Sequence, residues 1–274
     1  MKAIAIPGLA LVLFLVAPIK AAMSGDLIPA DVLNDMRQAD VVILGETHDN
    51  PQHHLVQAEA VTALAPSAVV WEMLSEEGAA RLTRKAVQDP EELARILRWA
   101  ELGWPPLAMY LPVFQAADAP VYGALVPRTA ARAAMETGAA AALGADAARF
   151  GLGVSLSDEE QAAREADQQA SHCNAMPPEM LPKLVAVQRL RDAVLARAIL
   201  RAREETGGPI AVITGNGHAR SDRGIPVFLS RVQPGLRVFT LGQSEEGAIE
   251  GTFDAVIDSP AAPREDPCAA FDKS

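Results

Sequence analysis

Glu46 and His48 stand two residues apart in Gly45-Glu46-Thr47-His48, Glu72 follows Trp71, and His218 closes Gly215-Asn216-Gly217-His218. Two imidazoles and two carboxylates can do one of two jobs. They can ligate a divalent transition metal, or they can pass protons as a general acid and base. In a hydrolase with ester or peptide substrates, His48 and His218 would be ligands and Glu46 or Glu72 a ligand or base. A bound metal would then activate water while the carboxylate takes its proton. Taken singly, each histidine fits a structural hydrogen bond equally well. The functional reading rests on the repeated Gly-x-x-His context, each time after an apolar run. Glycine there allows a sharp turn and close backbone approach.

Those runs are the elements that must position the four side chains. Val41 to Gly45, Ala68 to Met73, Pro120 to Leu125, Pro209 to Thr214 and Leu236 to Leu241 are apolar without clean alternation. That pattern is expected of parallel strands covered on both faces. Helical stretches lie between them. One is capped by Asn50 and runs from Pro51 to about Leu64, and others cover Pro90 to Trp99 and Pro127 to Met135. The longest, about Glu179 to Thr206, aligns Leu184, Val187, Leu190, Val194 and Ala198. A last helix starts near Pro226. The predicted class is α/β: a mostly parallel central sheet flanked by helices in a single domain, 23–274. An α-helical insertion is predicted at about 126–206. Glu46, His48, Glu72 and His218 then fall at the carboxyl ends of three strands, the edge where open α/β sheets bind ligands. His54 is expected to face that edge with Gln57, His53 to face solvent, and Tyr122 to lie in the core.

Composition narrows the function. The chain has 274 residues, is 50% hydrophobic and carries a formal net charge of −11, so no basic surface is available for nucleic acid. Residues 1–22 read as a secretory signal peptide: Lys2, an apolar run from Ala5 to Ile19, then small residues around Ala21 and Ala22. An uncleaved anchor is the alternative. Export to the periplasm gives meaning to Cys173 and Cys268, the only cysteines. They would either pair and pin the Pro- and Asp-rich tail to the body, or remain as two thiols.

Several blocks together resemble the ChaN-like haem-binding uptake family, within a superfamily shared with Tiki, TraB and erythromycin-esterase-like proteins. The first block is Val41 through Gln57. Trp71-Glu72-Met73 is the second, and Trp104 through Val113 with Ala116-Ala117 the third. Val126-Pro127-Arg128, Gln188 through Ala193, and Gly215 through Arg220 with Gly224-Ile225-Pro226 complete the set. The resemblance implies a haem-binding protein of the cell envelope, used in haem or iron acquisition or carriage. It also implies homodimers around the cofactor and an unidentified haem-transport partner. Members are often lipoproteins, and this chain departs from them in lacking a lipidation cysteine.

Haem needs an axial donor and an apolar slot. Tyr110 and His172 are the candidate axial residues, Trp104 and Met109 candidate porphyrin contacts, and Arg128 and Arg220 candidate propionate partners. His172 fits equally well a surface histidine beside a disulfide. Gln188 and Asp192, four apart, share one helix face. The resemblance implies a supporting role for them, and Arg191 is a candidate partner for a site carboxylate.

Overall fold

The computed structural model describes residues 26–270, so the predicted signal peptide lies outside the described residues. Six parallel strands form one sheet: β1 (Val41–Leu44), β2 (Ala68–Trp71), β3 (Val121–Gly123), β4 (Ile210–Ile213), β5 (Val238–Glu245) and β6 (Ala255–Ser259). Their order is β3-β2-β4-β1-β5-β6, which puts β1 and β4 in the middle. Val41 aligns with Ile210 on one side and Val238 on the other. Parallel neighbours require crossovers, and the helices that make them cover both faces.

Six helices matter for the site: α1 (Pro51–Leu64), α2 (Leu107–Gln115), α3 (Asp158–Ser171), α4 (Leu181–Thr206), α5 (Asn216–Ala219) and α6 (Ile225–Val232). Asn50 caps α1, its Oδ1 accepting from Gln52 N at 2.9 Å, with Pro51 at the first helical position. Val42, Leu44 and Trp71 bury themselves with α1 and α2, whereas Val41, Ile43 and Val70 bury themselves with α4 and α6. The period of two along each strand therefore assigns alternate residues to opposite cores. Between β3 and β4 the described chain is helical, including residues 128–137, 139–143, α3 and α4.

Two features depart from expectation. β6 was not anticipated: Ala255–Ser259 is an edge strand with a half-exposed pattern, so it lacks an apolar run. Tyr122 lies on the opposite edge strand and is half-buried rather than core, its hydroxyl donating to Glu205 at 2.6 Å. The cysteines pair, with Cα atoms 5.4 Å apart across a sequence separation of 95. Among the described residues no helix is long and apolar enough to cross a membrane.

Candidate functional site

The alternation along β1 continues past its end. Leu44 faces the α1 side, Gly45 the other, and Glu46 the α1 side again, where its carboxylate is buried. His48 Nδ1 lies 2.6 Å from Glu46 Oε1, and Tyr110 donates its hydroxyl to the same oxygen at 3.1 Å. Tyr110 also bonds the His48 carbonyl at 3.1 Å. His54 Nδ1 stands 3.3 Å from Glu46 Oε2, without the alignment of a hydrogen bond, and that oxygen has no other partner.

His54 can be assigned a charge from its neighbours. Gln57 donates Nε2 to the Leu44 carbonyl, so its Oε1 is the atom 3.1 Å from His54 Nδ1. His54 Nε2 lies 3.0 Å from the His48 carbonyl. Acceptors at both nitrogens mean that both carry protons. Burial opposes that charge, but the Glu46 carboxylate beside the ring outweighs it and raises the pKa of His54.

The second half of the site hangs from β2 and β4. Glu72, one residue past Trp71, turns to the α4 side and accepts from Thr214 Oγ1 at 2.8 Å and from Gly215 N at 2.9 Å. His218, in α5, places Nε2 3.4 Å from Glu72 Oε1 and Nδ1 2.6 Å from Asp192 Oδ1. The amide of Gln188 lies 3.1 Å from the same Nδ1. An imidazole between two carboxylates is held as imidazolium. Burial pulls the His218 pKa down, yet the attraction of Glu72 and Asp192 carries it up to about 10.

The carboxylates respond in different directions. Burial favours the neutral form of Glu46, but the His48 bond and the His54 ring beside it bring its pKa to about 2. Glu72 is also held far below the usual carboxylate range: burial opposes ionisation, and His218 overcomes it. Asp192 goes the other way, because burial outweighs its bond to His218.

Gly215 is where the halves meet. A Cβ there would lie 3.1 Å from His48 Nε2 and 3.8 Å from Glu72 Oε2, so any larger residue would push the ring back by a few tenths of an ångström. His48 is the open member of the cluster, with 30% of its side chain exposed and Trp104 packed on it at 4.8 Å. Its pKa is raised: burial opposes the charge and Glu46 prevails. The Glu46–His48 pair is thus built to accept and return a proton at the rim. As for a metal, the four residues are bonded as two separate carboxylate–imidazole pairs. Among the described residues no group of three or more His, Cys, Asp or Glu is arranged to hold an ion.

Residues 32–229 match the family described as haem-binding uptake, Tiki superfamily, ChaN. The chain belongs to that family. In fold it is similar to ChaN of Campylobacter jejuni, described with cofacial haem binding. The two share 20% identity over 80% of this chain and 87% of that one, with a TM-score of 0.60. The type III effector HopBA1 is similar at 13% identity over 84% and 92% of the chains, with a TM-score of 0.46. No curated protein matches the chain by sequence.

In this ChaN-family chain the expected haem residues fall into three places. Trp104 is half-buried against His48, its indole nitrogen buried without a partner, and Met109 is half-buried against the core on the α1 side. Tyr110 is fully buried; desolvation and Glu46 raise its pKa far above the ordinary value, which opposes a tyrosinate ligand. His172 and Arg220 lie elsewhere, on the α3 side. His172 follows α3 and donates from Nδ1 to the Gln168 carbonyl, 2.8 Å away. Arg220 is tied to Asp167 and Asp222. Arg128 is exposed at the start of the 128–137 helix.

Three local expectations need correction. His53 is fully buried, because its Nδ1 accepts from Thr47 N at 2.8 Å and β5 covers it. Asp192 is buried rather than simply a helix-face neighbour of Gln188, because His218 packs over it with Nδ1 2.6 Å away. Arg191 is exposed and makes no ion pair with a site carboxylate. Thr214 and Gly215 N were not anticipated; a threonine ending an apolar strand beside Gly-x-x-His was the available signal.

These shifts have a pH signature in the ChaN-family fold. Glu46 titrates near 4.5 when unfolded and at about 2 when folded, so its contribution is present above pH 4.5 and lost as pH falls toward 2. Glu72 and His53, also shifted down, act in the same sense, His53 already as pH falls below 6.5, while Asp192, shifted up, blunts that acid limb. His218 moves from 6.5 to about 10, so its contribution is complete below pH 6.5 and lost as pH rises toward 10. Urea unfolding across pH 3–10 is expected to show greatest stability near pH 5–6.5, with a steady fall above pH 7. A flat alkaline limb would show that His218 is not held as imidazolium.

Proposed function

We propose that this protein is an exported haem-binding protein that serves haem or iron acquisition or carriage. The observation that carries the reading is family membership over residues 32–229. Bound haem would supply an iron that needs an axial donor and a macrocycle that needs an apolar face. The axial residue of this reading is His172, half-buried just past α3. Its Nδ1, 2.8 Å from the Gln168 carbonyl, acts as the donor, which leaves Nε2 with a free lone pair. Metal-ligating histidines are oriented by this kind of backbone bond. Cys173 ties the adjoining residue to the tail. The disulfide also accords with an oxidising compartment such as the periplasm. A homodimer around the cofactor, as the family resemblance implies, belongs to the same reading.

The test is a visible-absorbance titration of haem into the exported protein. A saturable Soret change is expected, weakened about tenfold or more in His172→Ala, as for loss of a metal-binding group. No saturable change at micromolar haem would overturn the reading.

The Glu46–His48 pair favours a second reading, an acid–base hydrolase of esters or peptides. His48 is partly exposed with Nδ1 fixed by Glu46. Hydrolysis of an ester or peptide panel lost in His48→Ala would support it; metal-independent loss would select the acid–base form.

A further inference from the structure

Arg189 of α4 is a half-buried guanidinium with no carboxylate partner among the described residues. Its Nη2 donates to the carbonyls of Val154, at 3.0 Å, and Gly151, at 3.4 Å. Burial, and after it the nearby Arg164, pull its pKa below the ordinary arginine value, against the attraction of Asp192. The cation is therefore held in a place where an approaching anion would stabilise it. The carbonyl bonds fix the planar fork. Among the described residues Nε and Nη1 have no acceptor, and neither is sealed from solvent.

A second guanidinium reaches the same loop. Arg231, in the last turn of α6, lies across Gly151: a Cβ there would stand 2.5 Å from its Nε, and the φ of +70° also favours glycine. Arg231 is exposed and makes no ion pair among the described residues. Arg149, exposed just before the loop, likewise meets no carboxylate. Val227 precedes Arg231 by one helical turn and shares its face. It is 40% exposed, and Val154, whose N–H bonds the Gly151 carbonyl at 3.1 Å, is 56% exposed. Gly151, Val154, Arg189, Val227 and Arg231 thus form one basic and apolar surface on a chain of formal net charge −11.

Those chemistries select the partner. The arginine fork matches the two oxygens of a carboxylate, and arginine is enriched at the energetic centres of protein interfaces. Size decides between a peptide segment and a membrane. Charges more than ~8 Å apart are largely screened at physiological ionic strength, so a short acidic segment on this surface feels chiefly its arginines. An extended anionic bilayer would also face the acidic remainder of the chain.

We propose that this surface docks an acidic segment of a partner protein, with carboxylates on Arg189 and Arg231 and an aliphatic side chain against Val154 and Val227. The proposal is independent of the haem and hydrolase readings.

The probe is a fluorescein-labelled peptide of six glutamates and two valines, compared with its glutamine counterpart by fluorescence anisotropy on the whole exported protein. Saturable binding of the glutamate peptide is expected, weakened at high salt and absent for the glutamine peptide. Arg231→Gln is expected to weaken it about fivefold, the upper range for one exposed ion pair. Arg189→Gln serves as the second variant, and thermal melts show whether each is folded. No saturable binding, equal binding of the two peptides, or full affinity in Arg231→Gln would overturn the proposal. So would binding to phosphatidylglycerol vesicles in place of the peptide, which assigns the surface to a membrane. A wild-type dimer in sedimentation that Arg231→Gln dissociates would assign it to a second copy and overturn the proposal as well.

Discussion

Glu72→Ala is expected to destabilise the protein by about 3–5 kcal/mol at neutral pH, the usual penalty for breaking a buried ion pair on one side. Glu72 is the acceptor for Thr214 Oγ1 and Gly215 N and the partner of His218 Nε2. Its loss leaves a buried imidazolium with only Asp192 and strands two donors at the β4 end. His218→Ala in the same background removes the uncompensated charge, so the double variant should recover part of the loss. Urea denaturation of the two single variants and the double reads this directly. A loss under 1 kcal/mol for Glu72→Ala would show that the network does not hold the sheet edge together.

Replacing Cys173 and Cys268 by serine is expected to lower stability by about 4–5 kcal/mol, the chain-entropy value for a long closed loop. The 95-residue separation makes this the largest covalent constraint in the fold. The tail keeps other anchors: Arg264 bonds Asp49 at 2.8 Å and Glu245 at 2.6 Å, and Asn50 bonds the Pro260 carbonyl at 3.1 Å. Hydrogen exchange should therefore rise most near residues 172–176 and beyond residue 264, and less around Pro260. Denaturation midpoints that do not move on reduction or double substitution would contradict this.

The central strands were legible because strands buried on both faces, such as Val41–Leu44 and Ile210–Ile213, read as unbroken apolar runs. The same rule passes over β6, whose residues are half in solvent. At the site, Glu46, His48, Glu72 and His218 could be placed at strand ends because period-two alternation and the carboxyl-edge rule act locally. Asp192 was visible only as a helix-face neighbour of Gln188. Nothing near it in sequence shows that His218, 26 residues on, fills the space above it. His53 and Tyr110 illustrate the same limit. His53 is covered by Ser244, 191 positions away, and Tyr110 is enclosed by His54, Trp71 and Trp99. Burial of this kind is made by tertiary contacts between distant segments, and local pattern carries no trace of it.

Haem titration into the wild-type protein and His172→Ala, followed in the Soret region, tests haem binding most directly. The expected result is a saturable spectral change of defined stoichiometry in the wild type, weakened about tenfold or more by the substitution. The contradicting result is a wild-type spectrum that never saturates, with His172→Ala indistinguishable from it.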